Sequence, residues 1–511
     1  MAALHPQRAA RWGWFLVIWG APWSHAAMSV GTAWVGACAA WAWIQGKGSP
    51  SAPSRAWFDS PWFWLAAMLA WQIASLAWSE NVDHGVRILS IQLALPVLAW
   101  AWLKVPLSAP QTARTWVFRS TALALAGVLI WGGVQSVQGT ELAPRDWTPW
   151  MSHIRLSMLA AMAWAWALEE QPRAHALGFG VLWLAFAGVT GSFTSVLFLP
   201  LALIWGVSAA ASPQVRRRWM ASGIALGIAA FLAAVAWLQP VPLPVPENDL
   251  PATTSLGNPY EHRPDRMLSE GGHRVYLYVC EEEWPAAWAQ VSRRPLTETN
   301  RQGFQLRDRL MRYLTSKGWP KDAEHILQLT PEDVQAIENG ATHVRPAHGI
   351  AQRLRETRRE WEMWRDGGSA SGHAIFQRFE HWRAGVQAFA LSPWLGHGAG
   401  DTGSAISQSY AALGTPLATQ HRHRAHMQHL TWAISGGILA LLLWLAFWRG
   451  WWQQLGLQSL QARWGGVVVL LSCCFEDTWE TQAGIVVSFL ALFAATIRPN
   501  HTSGSPPEHT A

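Results

Sequence analysis

Twelve apolar runs, each close to the length of a membrane span, constrain this chain more than any motif in it. They begin near Trp12, Ala27, Trp62, Val86, Thr115, Leu156, Leu177, Ser195 and Met220. After a long polar gap, three more begin near Met427, Gly465 and Ala483. Crossing the hydrocarbon core takes roughly 17–25 apolar residues in a helix. Lipid offers no partner to a backbone N–H or C=O, so runs of this kind must coil into helices. The expected fold is an all-α polytopic membrane protein of about twelve transmembrane helices. Pro22 breaks the first run, and Gly191-Ser192 splits a later pair.

Composition agrees. Charged residues make up 14% of the 511, against roughly 25% in an average soluble domain. Mean hydropathy is only +0.08 because the polar segment dilutes it. Tryptophan occurs 38 times, often near the ends of apolar runs, as expected of aromatic belts at the headgroup level. The four cysteines do not form a disulfide framework. Cys38, Cys473 and Cys474 lie in apolar runs and Cys280 stands alone, so all four read as small buried hydrophobes. No small-residue cleavage site follows the first run, which reads as a retained start helix.

Loop charge sets the orientation. With the N-terminus inside, the inner loops carry Lys47, Arg55, Lys104, Arg114, Arg173, Arg216-Arg217-Arg218, Arg449, Arg463 and Arg498. The outer loops carry Glu80, Asp83, Glu141, Asp146, Glu476, Asp477 and Glu480, with Arg145 as an exception. An excess of Lys and Arg marks the cytoplasmic side. The expected division is therefore an N-terminal bundle of about nine spans over 1–238 and a large, mainly helical periplasmic segment over 239–425. Three spans over 426–498 and a disordered cytoplasmic tail over 499–511 complete it. The expected location is the inner membrane.

The outer segment opens with a Pro-rich linker, Pro240–Pro251. Helical periodicity follows in Gln305–Ser316, Pro331–Asn339 and His348–Arg365, and Pro331-Glu332-Asp333 suits a helix start. Arg353, Arg355, Arg358 and Arg359 form a basic stripe. It reads either as a solvated face paired with Glu356 and Glu360 or as a site for an acidic glycolipid.

Chemistry-bearing residues gather at the outer boundary. Arg422, His423, Arg424, His426 and His429 precede or enter the run Trp432–Trp448. Ionisable groups are costly there unless they have a role. A neutral imidazole can take a proton from a hydroxyl, and arginines can hold a phosphate. Arg87 and Arg155 sit near the outer ends of their helices, with snorkelling as the plain alternative. His421, His423, His426 and His429 could instead form a metal site or a structural cluster. No acidic or Cys ligand set accompanies them, and neither a metal nor a cofactor is expected.

Upstream come Arg378-Phe379-Glu380-His381-Trp382, expected on a helix, and the turn Ser392-Pro393-Trp394-Leu395-Gly396-His397-Gly398-Ala399-Gly400-Asp401. Glycines permit a tight turn and close backbone approach. The turn is neither a Walker loop nor a dinucleotide fingerprint.

The order of these features resembles the O-antigen ligase and polymerase superfamily. An Arg-x3-Leu pattern is matched by Arg155 and Leu159. His426 and Leu430 match a His-Asn-x-x-Leu pattern, with Met427 in place of Asn. Asn258-Pro259-Tyr260, Cys280–Trp284, Arg312–Gly318, Lys321-Asp322-Ala323 and Glu476–Gly484 resemble blocks of a long-loop subgroup. The resemblance covers most of the chain from about Arg155 onward. Ser192-Phe193 stands where many members have Ser-Arg, so an arginine role there is absent.

The resemblance implies a GT-C-like glycosyltransferase. It would move a glycan from an undecaprenyl diphosphate carrier to a sugar hydroxyl of lipid A-core, inverting and metal-independent. It implies His426 as base and Arg155 and Arg378 as leading diphosphate ligands, with Arg422, Arg424 and Arg87 behind them. His429, His423, Gly396 and Gly398 would support the site. Membrane lipids are further partners; nucleic acid is not. A polymerase or protein O-oligosaccharyltransferase would use the same carrier, and a polysaccharide or lipid transporter is the alternative of a different class. Against a transporter, charges gather at helix ends rather than at midplane.

Overall fold

A computed structural model describes residues 5–46, 60–107, 109–138, 147–209, 212–238, 250–266, 268–299, 305–345, 349–365, 371 and 374–494. The Pro-rich stretch up to 249 and the tail 499–511 lie outside these. The described chain is mostly helical. Each of the twelve apolar runs coincides with a helix, two of them in two consecutive pieces. These are α1 Pro6–Gly20, α2 His25–Ile44, α3 Pro61–Ala74, α4 Val82–Gln92 continuing as α5 Ala94–Lys104, α6 Pro110–Val137, α7 His153–Glu170, α8 Arg173–Thr190, α9 Phe193–Ala209 and α10 Pro213–Leu238. Five further helices follow: α11 Trp284–Val291, α12 Leu306–Ser316, α13 Ala323–Leu327, α14 Pro331–Glu338 and α15 Gly349–Arg365. Then come α16 Ala374–Leu391, α17 Thr402–Ala412, α18 Gln428–Trp451, α19 Leu460–Phe475 and α20 Gln482–Phe489, the last extended by a π turn to Ala494. Strands β1 Ser269–Glu270 and β2 His273–Arg274 form a two-residue hairpin.

Five helical segments are long and apolar enough to cross a membrane: His25–Ile44, Val82–Lys104, Gln111–Val137, Arg173–Thr190 and Gln428–Gly456. Phe193–Gly206, Leu460–Phe475 and Gln482–Ala494 are apolar but shorter.

The chain forms two compact units. One comprises residues 1–226, 378–415 and 422–511; the other comprises 227–377 and 416–421. The first is a helix bundle with α7 at its centre, packed on α6, α8, α9 and α19. Burial along α7 is unbroken from Arg155 to Ala167, the mark of a helix surrounded by others.

Tryptophan serves this bundle in two ways. Trp12, Trp43 and Trp394 are exposed, but Trp14, Trp102, Trp183, Trp444, Trp464 and Trp479 are fully buried. A buried indole N–H usually finds an acceptor. Trp14 donates to the Val105 carbonyl at 2.7 Å, Trp464 to Ala161 at 2.9 Å and Trp451 to Leu492 at 3.1 Å. Each bond ties two helices, so belts alone do not account for the abundance of Trp.

Helix α18 is broken at Gly436 (φ −130°, ψ 15°) and Gly437 (φ 66°, ψ −161°). The break leaves backbone groups unpaired inside an apolar helix, which is tolerated only where protein satisfies them. The Gly-rich turn does so. His397 N–H donates to Ile434 O and Gly398 N–H to Ser435 O, both at 2.8 Å, and Ile438 N–H donates to Pro393 O at 2.8 Å. Trp71 Nε1 donates to Gly436 O at 2.8 Å. A Cβ on Gly437 would fall 2.2 Å from Trp394 O, and one on Gly396 2.5 Å from Ser435 and Gly436 backbone. Both close backbone approach and a positive φ, +70° at Gly396 and +66° at Gly437, require these glycines.

The second unit has its own core of Trp284, Trp288, Leu306, Leu310, Leu314, Ile326 and Ile337. Helices α12, α14 and α15 fall where the periodicity places them, and α14 starts with a capping box between Thr330 and Asp333. Several family-like blocks meet here. Asn258 donates to Glu283 at 2.9 Å, the Ala323 amide donates to Glu283 at 2.7 Å, and Tyr260 donates to Asp322. The Cys280 amide and the Trp284 indole both donate to the Lys321 carbonyl at 2.9 Å. The blocks thus form a buried polar knot. The basic stripe is not one solvated face. Arg358 pairs with Glu362 at 3.5 Å, and burial, with Arg312 nearby, pushes Arg359 down to about 10. The Arg353 side chain lies outside the described set.

Lys321 is 2% exposed. Its Nζ donates to the carbonyls of Leu277 (2.8 Å) and Arg274 (3.2 Å). Burial pushes this amine down from 10.5 to about 7. Between these values the unfolded chain binds the extra proton, so stability rises with pH across the window. Protection of this unit from proteolysis on heating should therefore increase from about pH 7 to about pH 10, and Lys321→Met should flatten the rise. A flat response in the unsubstituted chain contradicts the expectation.

Candidate active site

The candidate site lies in the helix bundle and is built around the loop joining α19 to α20. That loop carries Glu476, Asp477 and Glu480, all largely buried. Basic side chains from three other stretches turn toward it. Arg378, on α16, pairs with Glu476 Oε1 at 2.6 Å through Nη2, and its Nη1 donates to the Phe475 carbonyl. Arg424 pairs with Glu480. His426 Nδ1 lies 3.8 Å from Glu476 Oε2. Arg155, 5% exposed on α7, donates to Ser472 Oγ (3.2 Å), Thr478 Oγ1 (3.3 Å) and Thr481 Oγ1 (3.4 Å). Glu476, Asp477 and Arg378 are within electrostatic range of it.

The N-terminal turn of α18 holds the loop from the other side. Thr431 Oγ1 donates to Asp477 Oδ1 at 2.6 Å, and the Trp479 amide donates to Gln428 Oε1 at 2.6 Å. His426 stands two residues before this helix with φ +49°. The left-handed region is uncommon for a side-chain-bearing residue, though His is among the types enriched there. Strain of this kind collects at functional sites.

Electrostatics separates the three carboxyls. Burial opposes ionisation of Glu476, but His426, Arg378 and Arg155 outweigh it and hold this carboxyl down at about 2. Burial pushes Asp477 up, and burial with Asp477 alongside pushes Glu480 up. Glu476 is therefore the permanent anion, and the Asp477–Glu480 pair resists double ionisation.

Three imidazoles line the approach. The His381 and His426 ring centroids are 5.3 Å apart, His381 and His423 5.9 Å, and His423 and His426 6.2 Å. His381 is buried and His423 exposed. Among the described residues, no group of three or more His, Cys, Asp or Glu is placed to hold a metal ion. His429 faces a different neighbourhood, 3.8 Å from Cys474 Sγ and 5.7 Å from the Trp444 ring.

The expected residues thus separate. Arg155, Arg378, Arg424 and His426 share the acidic loop. Arg422 is half-buried. Arg87 is exposed on α4, and both it and Arg424 act on His84. Gly396 and Gly398 secure the α18 break instead of lining the loop. Asp401, ending the same turn, accepts from the Glu80 and Asn81 amides at 2.6 and 3.0 Å. It borders an open hollow of about 590 Å³ that also includes Asp83, His84 and Ser404. At Ser192 buried hydroxyls meet: Ser157 lies 3.4 Å from Ser192 and 2.7 Å from Ser195.

Sequence reasoning used Glu476, Asp477 and Glu480 as topology markers and missed them as partners of the site. The available signal was their grouping among threonines between two apolar runs, on the side where Arg87 and Arg155 were also expected. Against known proteins, no family model matches the sequence and no curated protein matches it.

Proposed function

We propose that this chain is a membrane glycosyltransferase of the O-antigen ligase type. All twelve apolar helices cross the inner membrane in a GT-C-like arrangement, and residues 239–425 lie in the periplasm. The donor is a glycan on undecaprenyl diphosphate, and the acceptor is a sugar hydroxyl of lipid A-core. The observation that carries the reading is the gathering of Arg155, Arg378, Arg424 and His426, from distant parts of the sequence, on one buried acidic loop.

In the proposed step the acceptor oxygen attacks the anomeric carbon opposite the diphosphate. The new glycosidic C–O bond forms as the anomeric C–O bond to phosphate breaks, and the hydroxyl proton passes to His426. The carrier departs as the diphosphate. A diphosphate is already a good leaving group, so the site needs charge stabilisation more than an acid, and the arginine forks supply it. Arg378 commits two N–H groups to Phe475 and Glu476. A guanidinium has five, so donors remain for phosphate.

Lipopolysaccharide profiling of a deletion strain tests this reading. Loss of long-chain glycan from lipid A-core, with accumulation on the carrier, is expected. A retained core bearing one repeat would point to a polymerase, and an unchanged profile with loss of glycan from a protein acceptor would point to a protein glycosyltransferase.

A further inference from the structure

We propose that Glu476 is a positioning residue for His426, holding the imidazole proton on Nδ1 so that Nε2 is the atom that receives the acceptor's proton. The inference rests on the reading of His426 as the base. Its ground is the placement of one carboxylate between two functional groups. Glu476 Oε1 is pinned by Arg378 at 2.6 Å, and Oε2 faces His426 Nδ1 at 3.8 Å.

A carboxylate only accepts, so an imidazole nitrogen closing on it must carry the hydrogen. The partner nitrogen then keeps its lone pair. Catalytic hydrogen bonds are often long before substrate binds, and a small rotation of His426 would close this one. The surroundings hold the carboxylate still. Arg378 comes from α16 and Arg155 from α7; Asp477 and Glu480 are on the same loop, and Arg424, His423 and His381 complete the charged or titratable set around the imidazole. The left-handed backbone at His426 turns the chain directly into α18, which limits where the ring can go. Glu476 would also act on the imidazolium formed during transfer, stabilising it as proton acceptance proceeds.

The experiment is Glu476→Gln in the full chain in detergent. The amide oxygen can still accept from Arg378, so the clamp survives. The amide nitrogen then faces Nδ1 as a donor and drives the histidine proton to Nε2, blocking the base. With carrier-linked glycan and acceptor lipid, kcat should fall about 10²–10⁴-fold while the KM for donor stays unchanged. Nitrogen-15 spectra of histidine-labelled protein, with His426 assigned by its loss in His426→Ala, should show the proton on Nδ1 in the unsubstituted chain and on Nε2 in Glu476→Gln.

Near-normal kcat in Glu476→Gln overturns the proposal. So does a raised donor KM at normal kcat, which would place Glu476 in phosphate binding through Arg378. An Nε2 proton in the unsubstituted chain overturns it whatever the kinetics. If the unsubstituted protein transfers no glycan, the functional reading fails, and the tautomer measurement alone still decides whether Glu476 orients His426.

Discussion

Replacing His426 with alanine should reduce glycan transfer about 10²–10⁴-fold, the usual cost of losing a general base, while insertion and carrier binding persist. The side chain is half-buried beside Glu476 and caps no helix, so its removal leaves the bundle's packing largely intact. Alanine also relieves little of the backbone strain at φ +49°. The Gly variant would relieve it, so His426→Gly should be as inactive and at least as stable. Glu476, held down at about 2, remains a carboxylate across the range of such an assay. Purified protein, carrier-linked glycan and acceptor lipid in the presence of chelator would test all of this. Near-normal turnover by His426→Ala removes the base from the account, and abolition by chelator in the unsubstituted protein replaces it with a metal reading. His429→Ala should be milder, since that ring lies against Trp444 and Cys474 and is absent from the acidic loop's ion pairs.

Arg378→Ala should lower transfer by about 10²–10³-fold, the scale for removing one donor group aimed at developing charge. It should also destabilise the protein. Glu476 would lose its closest cation, and for a fully buried ion pair that loss typically costs about 3–5 kcal/mol, an upper bound for this part-buried pair. Arg378→Lys separates the two effects. Its single ammonium can still neutralise Glu476 but cannot reach Phe475 O, Glu476 and a phosphate with one rigid fork. Lysine should therefore restore much of the thermal stability and only part of the transfer. Full activity in Arg378→Lys would reduce this residue to an ion-pair partner. Full activity in both Arg378→Ala and Arg155→Ala, at normal expression, would remove the arginines from the diphosphate site. Arg155 differs in kind. Its fork already engages three hydroxyls and it is 5% exposed, so Arg155→Ala should loosen the loop that holds Glu476 as much as it weakens donor binding.

The helices were legible because their signal is local. An apolar run of near-spanning length has few alternatives, and all twelve run starts fall in or near helices. Periodicity likewise located α12, α14 and α15. Tryptophan was harder to place. Belt and core tryptophans look alike in sequence, and only the packing separates exposed Trp12 from Trp14, which stacks on Phe489 at 5.4 Å and bonds to Val105. The Gly-rich turn was visible as a turn. That its amides cap the break at Gly436-Gly437 was not, because the partner carbonyls, Ile434 and Ser435, lie 37 residues beyond His397 and Gly398 in sequence.

By itself, then, the sequence determined helix content, the polar gap and the residue types available for chemistry at the ends of the apolar runs, since each depends on composition within a short window. It also placed His426 and the arginines near helix ends. Only the tertiary structure decided which of them meet. Glu476 is 98 residues from Arg378, and Thr481 is 326 from Arg155. Pairings at such separations follow from how helices pack, because the ion pairs form wherever packing brings buried opposite charges together and leaves them no water to prefer.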